Sequence, residues 1–315
     1  EISYGKGACI LRMIEAYLEA DDFRKGVEKY LIKHKFSNAT CNDLWGSLEE
    51  ASGKQVRRIM SEWIKKPGYP VVTAMMNGGK LTLRQERFLL TGDYEKDVWP
   101  IPVTMKLDGE FNKLLLDTEE TAIDVKDAKS LKLNIDHTGF YRVYYKENYD
   151  LVWKSELSAF DRWELIFDAV AFLLAGRMPF SDYLSLVKRY YREQDYLPAR
   201  EVSDQLIFLY LIMPSRVAEI SREFYRSQLK ILEGKSDENS SILRGIMAGR
   251  LAMVDEAYAE ELGTRFLEYE KVEPDMRAAV AVAYARAFSN FEEIVSRYRK
   301  SLSDEERTRL LDAMA

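Results

Sequence analysis

Hydrophobic positions along this chain fall into three successive rhythms. Up to about residue 66 they follow the helical period. Leu11, Ile14 and Leu18 are spaced i, i+3, i+7, one face of a helix, and Phe23, Val27, Tyr30 and Leu31 repeat the pattern. Thr40-Cys41-Asn42-Asp43 places an N-cap three residues ahead of an acid and opens a helix carrying Leu44, Trp45 and Leu48. Gly53 suits the end of that helix. Val56, Ile59, Met60, Trp63 and Ile64 form a last apolar face before Pro67-Gly68-Tyr69-Pro70 stops it.

Between about 71 and 156 the rhythm shortens. Val71 to Met75 and Leu81 to Leu83 flank Asn77-Gly78-Gly79, and Val103 to Leu107 and Phe111 to Leu116 flank Asp108-Gly109. Both read as β-hairpins. Leu131 to Ile135 and Tyr141 to Tyr145 are two further strands. Pro100 and Pro102 suit an edge strand or a strand start. Short strands at this spacing predict a small all-β sandwich.

From about 157 the helical period returns. Trp163, Ile166, Phe167, Val170 and Leu174 line one predicted face, ended by Gly176. Tyr183, Leu186, Val187 and Tyr190 mark the next helix, and Val202, Leu206, Leu209 and Met213 another. Pro274 sits where a first turn tolerates it, ahead of a helix over Met276 to Ala287. Ser303-Asp304-Glu305-Glu306 reads as a capping box, and Leu310 to Ala315 as helix with no stop signal. Helices in close succession predict an α-solenoid, here cut short. The expected fold is therefore multidomain and mainly α, with domains over 1–69, 70–156 and 157–315.

Composition narrows the function classes. With 315 residues, 47% hydrophobic and 31% charged, the chain has a globular balance and room for two or three domains. It lacks a run of about 18 apolar residues, so no membrane helix is expected. A net charge of −6 with interspersed signs offers no basic stripe for nucleic acid. Two cysteines, Cys9 and Cys41, are no disulfide framework and favour a reducing cytoplasmic setting. Five glutamines against 52 acids and 46 bases is a tilt found in hyperthermophiles.

Few residues suggest chemistry by themselves. The only histidines, His34 and His137, read as a helix-end and a turn residue. Neither has an acid and a second histidine at the i, i+4 spacing of a zinc helix. Gly5-Lys6-Gly7 lacks the preceding strand and the spacing of a phosphate loop. Arg142 is expected to pair structurally across the sandwich, and Lys188-Arg189-Tyr190-Tyr191-Arg192 to be a solvated helix face.

Four stretches occur in an informative order. They are Ile2-Ser3-Tyr4-Gly5-Lys6-Gly7-Ala8; Phe23-Arg24-Lys25-Gly26 through Asp43-Leu44-Trp45; Trp63 through Val71; and Thr138-Gly139-Phe140-Tyr141-Arg142-Val143-Tyr144-Tyr145 with Asp161-Arg162 and Ala171 to Gly176. Together they resemble the aminopeptidase N-like (gluzincin) zinc aminopeptidases. The likeness is greatest to the archaeal tricorn-interacting and the puromycin-sensitive branches. It covers residues 1–180 well and the rest by architecture.

The resemblance implies the helical tail of a thermolysin-like catalytic domain, then the sandwich, then the first part of a helical superhelix. It implies a parent enzyme that removes N-terminal residues from short peptides by zinc-activated water, with peptide trimming downstream of a large protease as a setting it allows. Of the family's catalytic residues it carries over Tyr4, whose phenol, with an ordinary pKa of about 10, would donate to the oxyanion of the transition state. Read without the family, Tyr4 is an aromatic at a helix start. Arg277 is a candidate contact for the C-terminal end of a peptide. The family's His-Glu-x-x-His and Gly-x-Met-Glu-Asn stretches are absent, so the expectation is a piece that binds no zinc, is inactive alone, and needs the missing N-terminal and catalytic domains as partners. Leu11 and Leu18 would then lose their cover and leave apolar surface on the first 60 residues. The alternative is a non-catalytic scaffold of sandwich and solenoid for protein–protein contact.

Overall fold

The computed structural model describes residues 2–91, 97–126 and 128–314, with backbone alone at Ile2 and Ser3. Glu1 and Ala315, the outer ends of the expected domains 1–69 and 157–315, lie outside the described residues. The chain divides into two compact units, Glu1–Pro179 and Phe180–Ala315.

The first unit begins with a π-helical turn, Ile2–Lys6, that runs straight into α1 (Gly7–Leu18). α2 (Ala20–Lys33), α3 (Cys41–Ser52) and α4 (Val56–Lys65) follow. The Thr40–Asp43 capping box forms, with Asp43 accepting from the Thr40 amide at 2.8 Å, and Gly53 closes α3 at a φ of 68°. Met13, Ile14 and Leu18 are closed off from solvent, against the expectation that Leu18 would be uncovered. Exposed apolar surface lies instead at the end of α2 and just past it, on Leu31, Ile32 and Phe36. α2 itself inserts Gly26 against α3, where an added Cβ would meet the Leu48 backbone at 2.8 Å.

Two sheets come next. β1 (Pro70–Asn77) and β2 (Lys80–Arg87) form the first hairpin, and β3 (Ile101–Leu107) and β4 (Glu110–Leu116) the second. Gly78 and Gly79 both take positive φ, as do Asp108 and Gly109, which is what a two-residue turn between right-twisted strands requires. β5 (Glu120–Asp124), absent from the sequence reading, pairs with β2. β6 (Leu131–Leu133) and β7 (Arg142–Tyr144) are shorter than expected. Asn134 at φ 54° turns the chain out of β6 before Ile135. The strand orders are β5-β2-β1-β7 and β4-β3-β6. Pro102 thus lies at the start of a central strand, the second of the two placements expected, and not on an edge strand. It is tolerated because β6 reaches β3 only from Met105 to Leu107.

Leu81 and Leu83 of one sheet and Val103 and Leu131 of the other share one core with Trp63, the sandwich arrangement the sequence predicts. α5 (Tyr149–Val152) and α6 (Ala159–Leu174) complete the unit. A capping box at Ser158 and Asp161 starts α6, and Gly176 at φ 68° follows its end.

The second unit is helical throughout: α7 (Phe180–Arg189), α8 (Tyr196–Ile212), α9 (Pro214–Leu232), α10 (Glu238–Val254), α11 (Glu256–Gly263), α12 (Arg277–Phe288), α13 (Phe291–Lys300) and α14 (Asp304–Asp312). Neighbours in sequence pack against one another, α9 on α8 and α10, and α12 on α10 and α11, as in a solenoid. The Ser303 box is half formed. Its hydroxyl accepts from the Glu306 amide, but the Glu306 carboxylate goes to Tyr269 and Arg309. α14 stops at Asp312, so Ala313 and Met314 of the expected helix lie beyond it.

Candidate functional site

Tyr4 sits on the π-helical turn with 88% of its surface exposed. The turn is held from behind. Lys6 donates to the carbonyls of Lys66 (2.9 Å) and Gly68 (3.3 Å), which belong to the link between α4 and β1. Burial lowers the Lys6 pKa from its ordinary value. The lysine of Gly5-Lys6-Gly7 is therefore no phosphate ligand but a clamp that leaves Tyr4 facing outward. Arg12, two turns on, donates to the Asp136 carbonyl at 3.2 Å and lies over the ring of Phe160.

The histidines stand in separate settings. His34 lies 3.9 Å from Asp43 and tilts on Tyr30. His137 is on a tight turn, as expected, but joins a buried cluster: its Nδ1 is 3.2 Å from Glu164 and its ring meets Trp163 edge-on. Among the described residues, no group of three His, Cys, Asp or Glu side chains comes together in a way that could hold a metal. These residues do not fit a zinc site.

The polar centre of the first unit is a network that sequence reasoning missed. Lys132, closed off from solvent, is 2.5 Å from Glu164 and 3.3 Å from Asp161. Burial pulls its pKa down, but Glu164 and Asp161 together leave it above the ordinary lysine value. Asn134 donates to Glu164 at 2.5 Å and accepts from the Gly139 amide at 2.7 Å. Arg142 reaches Asp168 of α6 at 2.7 Å, so its partner is the following helix and not the far sheet. Asp168 also accepts from the Val143 amide at 2.8 Å. Burial pushes the Asp168 carboxyl up to about 6, against the pull of Arg142.

This network explains why the phase of α6 differs from the one predicted. The buried face carries Asp161, Glu164, Leu165, Asp168 and Phe172, while of the predicted face Ile166 is buried and Leu174 is half exposed. The signal was present as acids at i, i+3, i+7, matched by Lys132 and Arg142 on the strands. Periodicity counted the apolar positions and passed over the charged ones.

Arg277 begins α12 and lines a cavity of about 430 Å³ in the second unit. Its guanidinium donates to the carbonyls of Val272 (3.2 Å) and Glu270 (3.3 Å) and lies 3.9 Å from Glu306. The cavity sets Arg277, Arg297 and Lys300 against Glu270, Glu293 and Glu306, so its charges balance. Of the basic-aromatic run, Tyr190 is buried in the unit and the Tyr191 hydroxyl donates to Glu223 at 2.8 Å.

Residues 130–315 match the family model of the ERAP1-like C-terminal domain. The chain belongs to that family. The ERAP1-like match is preceded, over residues 1–63, by a match to the Peptidase family M1 domain. Over its full length the ERAP1-like chain is 43% identical to a leucyl aminopeptidase of Saccharolobus solfataricus and 41% to tricorn protease-interacting factor F2 of Thermoplasma acidophilum, each time covering 40% of the relative. It is 30% identical to aminopeptidase M1 of Arabidopsis thaliana, covering 41% of it. The chain thus spans about two fifths of the length of these curated relatives. No described helix is long and apolar enough to cross a membrane.

Proposed function

We propose that this chain is the C-terminal part of a zinc-dependent aminopeptidase that removes N-terminal residues from short peptides. The observation that carries the reading is the succession, in one chain, of an M1 peptidase match at 1–63 and an ERAP1-like match at 130–315. Residues 1–69 would close the catalytic domain, residues 70–156 act as a spacer, and residues 157–315 wall a chamber for peptides. Zinc and its ligands would come from the portion of the relatives that this chain does not cover, and the chain alone would be inactive. Tyr4, exposed and clamped from behind by Lys6, would meet the oxyanion of the tetrahedral intermediate as a hydrogen-bond donor. Arg277 would be a secondary contact for the peptide's C-terminal end, supported by its place on the cavity of the second unit. A cytoplasmic enzyme fits two exposed, unpaired cysteines, and a large protease as partner follows the name of the Thermoplasma relative.

The test is hydrolysis of aminoacyl-coumarin substrates with zinc by the chain alone, and by the chain fused behind the uncovered segment of the Saccharolobus relative. The fusion is expected to be active, the chain alone inactive, and Tyr4→Phe in the fusion to lower the rate by about 10²–10³. Hydrolysis by the chain alone, or a fusion whose rate ignores Tyr4→Phe, overturns the reading. The second reading, a non-catalytic scaffold, is favoured by the lack of any metal-capable group among the described residues. It predicts an inactive fusion.

A further inference from the structure

The first unit contains a second cavity, of about 420 Å³, away from Tyr4. Its walls include Tyr69, Phe88, Leu90, Phe167, Val170 and Leu174, and Arg142 is the one charged residue lining it among the described residues. This is the composition of a small-molecule site: apolar walls, one convergent polar group, and a volume within roughly 300–1,000 Å³. Phe167, Val170 and Leu174, from the α6 face that the sequence pattern assigns to the core, line it. Leu90 and Leu174 keep 59% and 52% of their surface exposed there, which a chain folding without an occupant gains nothing by.

The guanidinium is rigidly placed and partly unused. Its Nε donates to the Tyr69 hydroxyl at 3.2 Å and its Nη1 to Asp168 and the Phe167 carbonyl, whereas Nη2 donates to no group among the described residues. The rings of Tyr69, Phe88 and Phe167 lie 5.6, 5.2 and 4.6 Å from its Cζ and hold its plane. Among the described residues no carboxylate lines the cavity, so none of them would receive the ammonium of a free amino acid. We infer that this cavity binds a small monocarboxylic acid with an aromatic or branched apolar body, its carboxylate on Arg142 and its body between Phe88, Phe167 and Val170. The planar guanidinium suits a carboxylate better than any neutral acceptor.

The experiment titrates the full chain with 3-phenylpropionate and follows methyl resonances of Leu90, Val170 and Leu174. Saturable shifts of these methyls are expected, with 3-phenylpropionamide binding at least about tenfold more weakly because it forfeits the charge-assisted bond. Val170→Phe, which fills the cavity without touching Arg142, is expected to abolish the shifts while the circular dichroism spectrum stays unchanged. Absent saturation, equal affinity of acid and amide, or binding that survives Val170→Phe in the folded chain would each overturn the assignment.

Discussion

Lys132 lies 2.5 Å from Glu164 with neither side chain open to solvent. Two charges removed from water stabilise a fold only while each has the other, and the loss of one leaves its partner stranded.

Lys132→Met is therefore expected to cost about 3–5 kcal/mol, because it strands Glu164 and Asp161 in a closed interior. All five tryptophans, at 45, 63, 99, 153 and 163, belong to the first unit, so urea unfolding followed by their fluorescence reads that unit alone. Arg84→Ala, which opens a surface pair with Glu119, should change the same curve by at most about 1 kcal/mol. Similar losses for the two variants would refute the distinction.

Asp168 gives a pH dependence of a particular sign. Its folded-state pKa, about 6, exceeds the value of 3.8 for a free side chain, so the folded state holds the proton more tightly. Its contribution to stability is fully present below about pH 4 and is lost as the pH rises through 6. Relative to Asp168→Asn, the natural chain should lose stability steadily between about pH 4 and 6.5 and run parallel above about pH 7. A carboxyl-carbon NMR titration of Asp168 with its midpoint below about 4 would show that Arg142 outweighs burial.

Gly245 and Gly249 test close packing in the second unit. A Cβ at Gly245 would lie 2.0 Å from the Asp275 carbonyl, whereas one at Gly249 would meet Ala279 at an ordinary 3.5 Å. Gly245→Ala should cost about 1–3 kcal/mol and Gly249→Ala about 0.5 or less. Thermal melts followed by far-ultraviolet circular dichroism decide it, and equal melting points would contradict the close approach of α10 to Asp275.

Phe36 combines a φ of 60° with full exposure, a strained backbone bearing an apolar ring in water. Phe36→Gly is expected to stabilise the first unit by about 1 kcal/mol and to weaken binding of an apolar dye. A lower urea midpoint for the variant would show that the ring has a partner in solution.

Much of this fold could be read from residue order. The hairpin turns at Gly78-Gly79 and Asp108-Gly109 and the cap at Thr40 followed from local chemistry that tertiary packing does not override. Tyr4 is a candidate only through resemblance, since nothing in its neighbours marks an exposed phenol as special. The buried charges were missed for a physical reason. Lys132 alternates with Leu131 and Leu133 and looks like the wet face of a strand, and its burial depends on acids about 30 residues away that periodicity cannot connect. The same blindness left the acids out of the inward face of α6, of which the pattern picked up Ile166 alone as a fully buried residue. β5 went unseen because Glu120 to Asp124 carries acids that depress strand propensity and is held by its pairing with β2.

The inward acids of α6 decide how this protein can be cut. A piece ending before Ser158 would keep Lys132 and Arg142 with no counter-charge, and a piece beginning at Ser158 would carry three carboxylates on the side meant for docking. Neither half would be worth expressing. Anyone wanting the sheets without the long helical array should take α6 along, out to Pro179, and expect a cooperative melt from that piece and an aggregate from the shorter one.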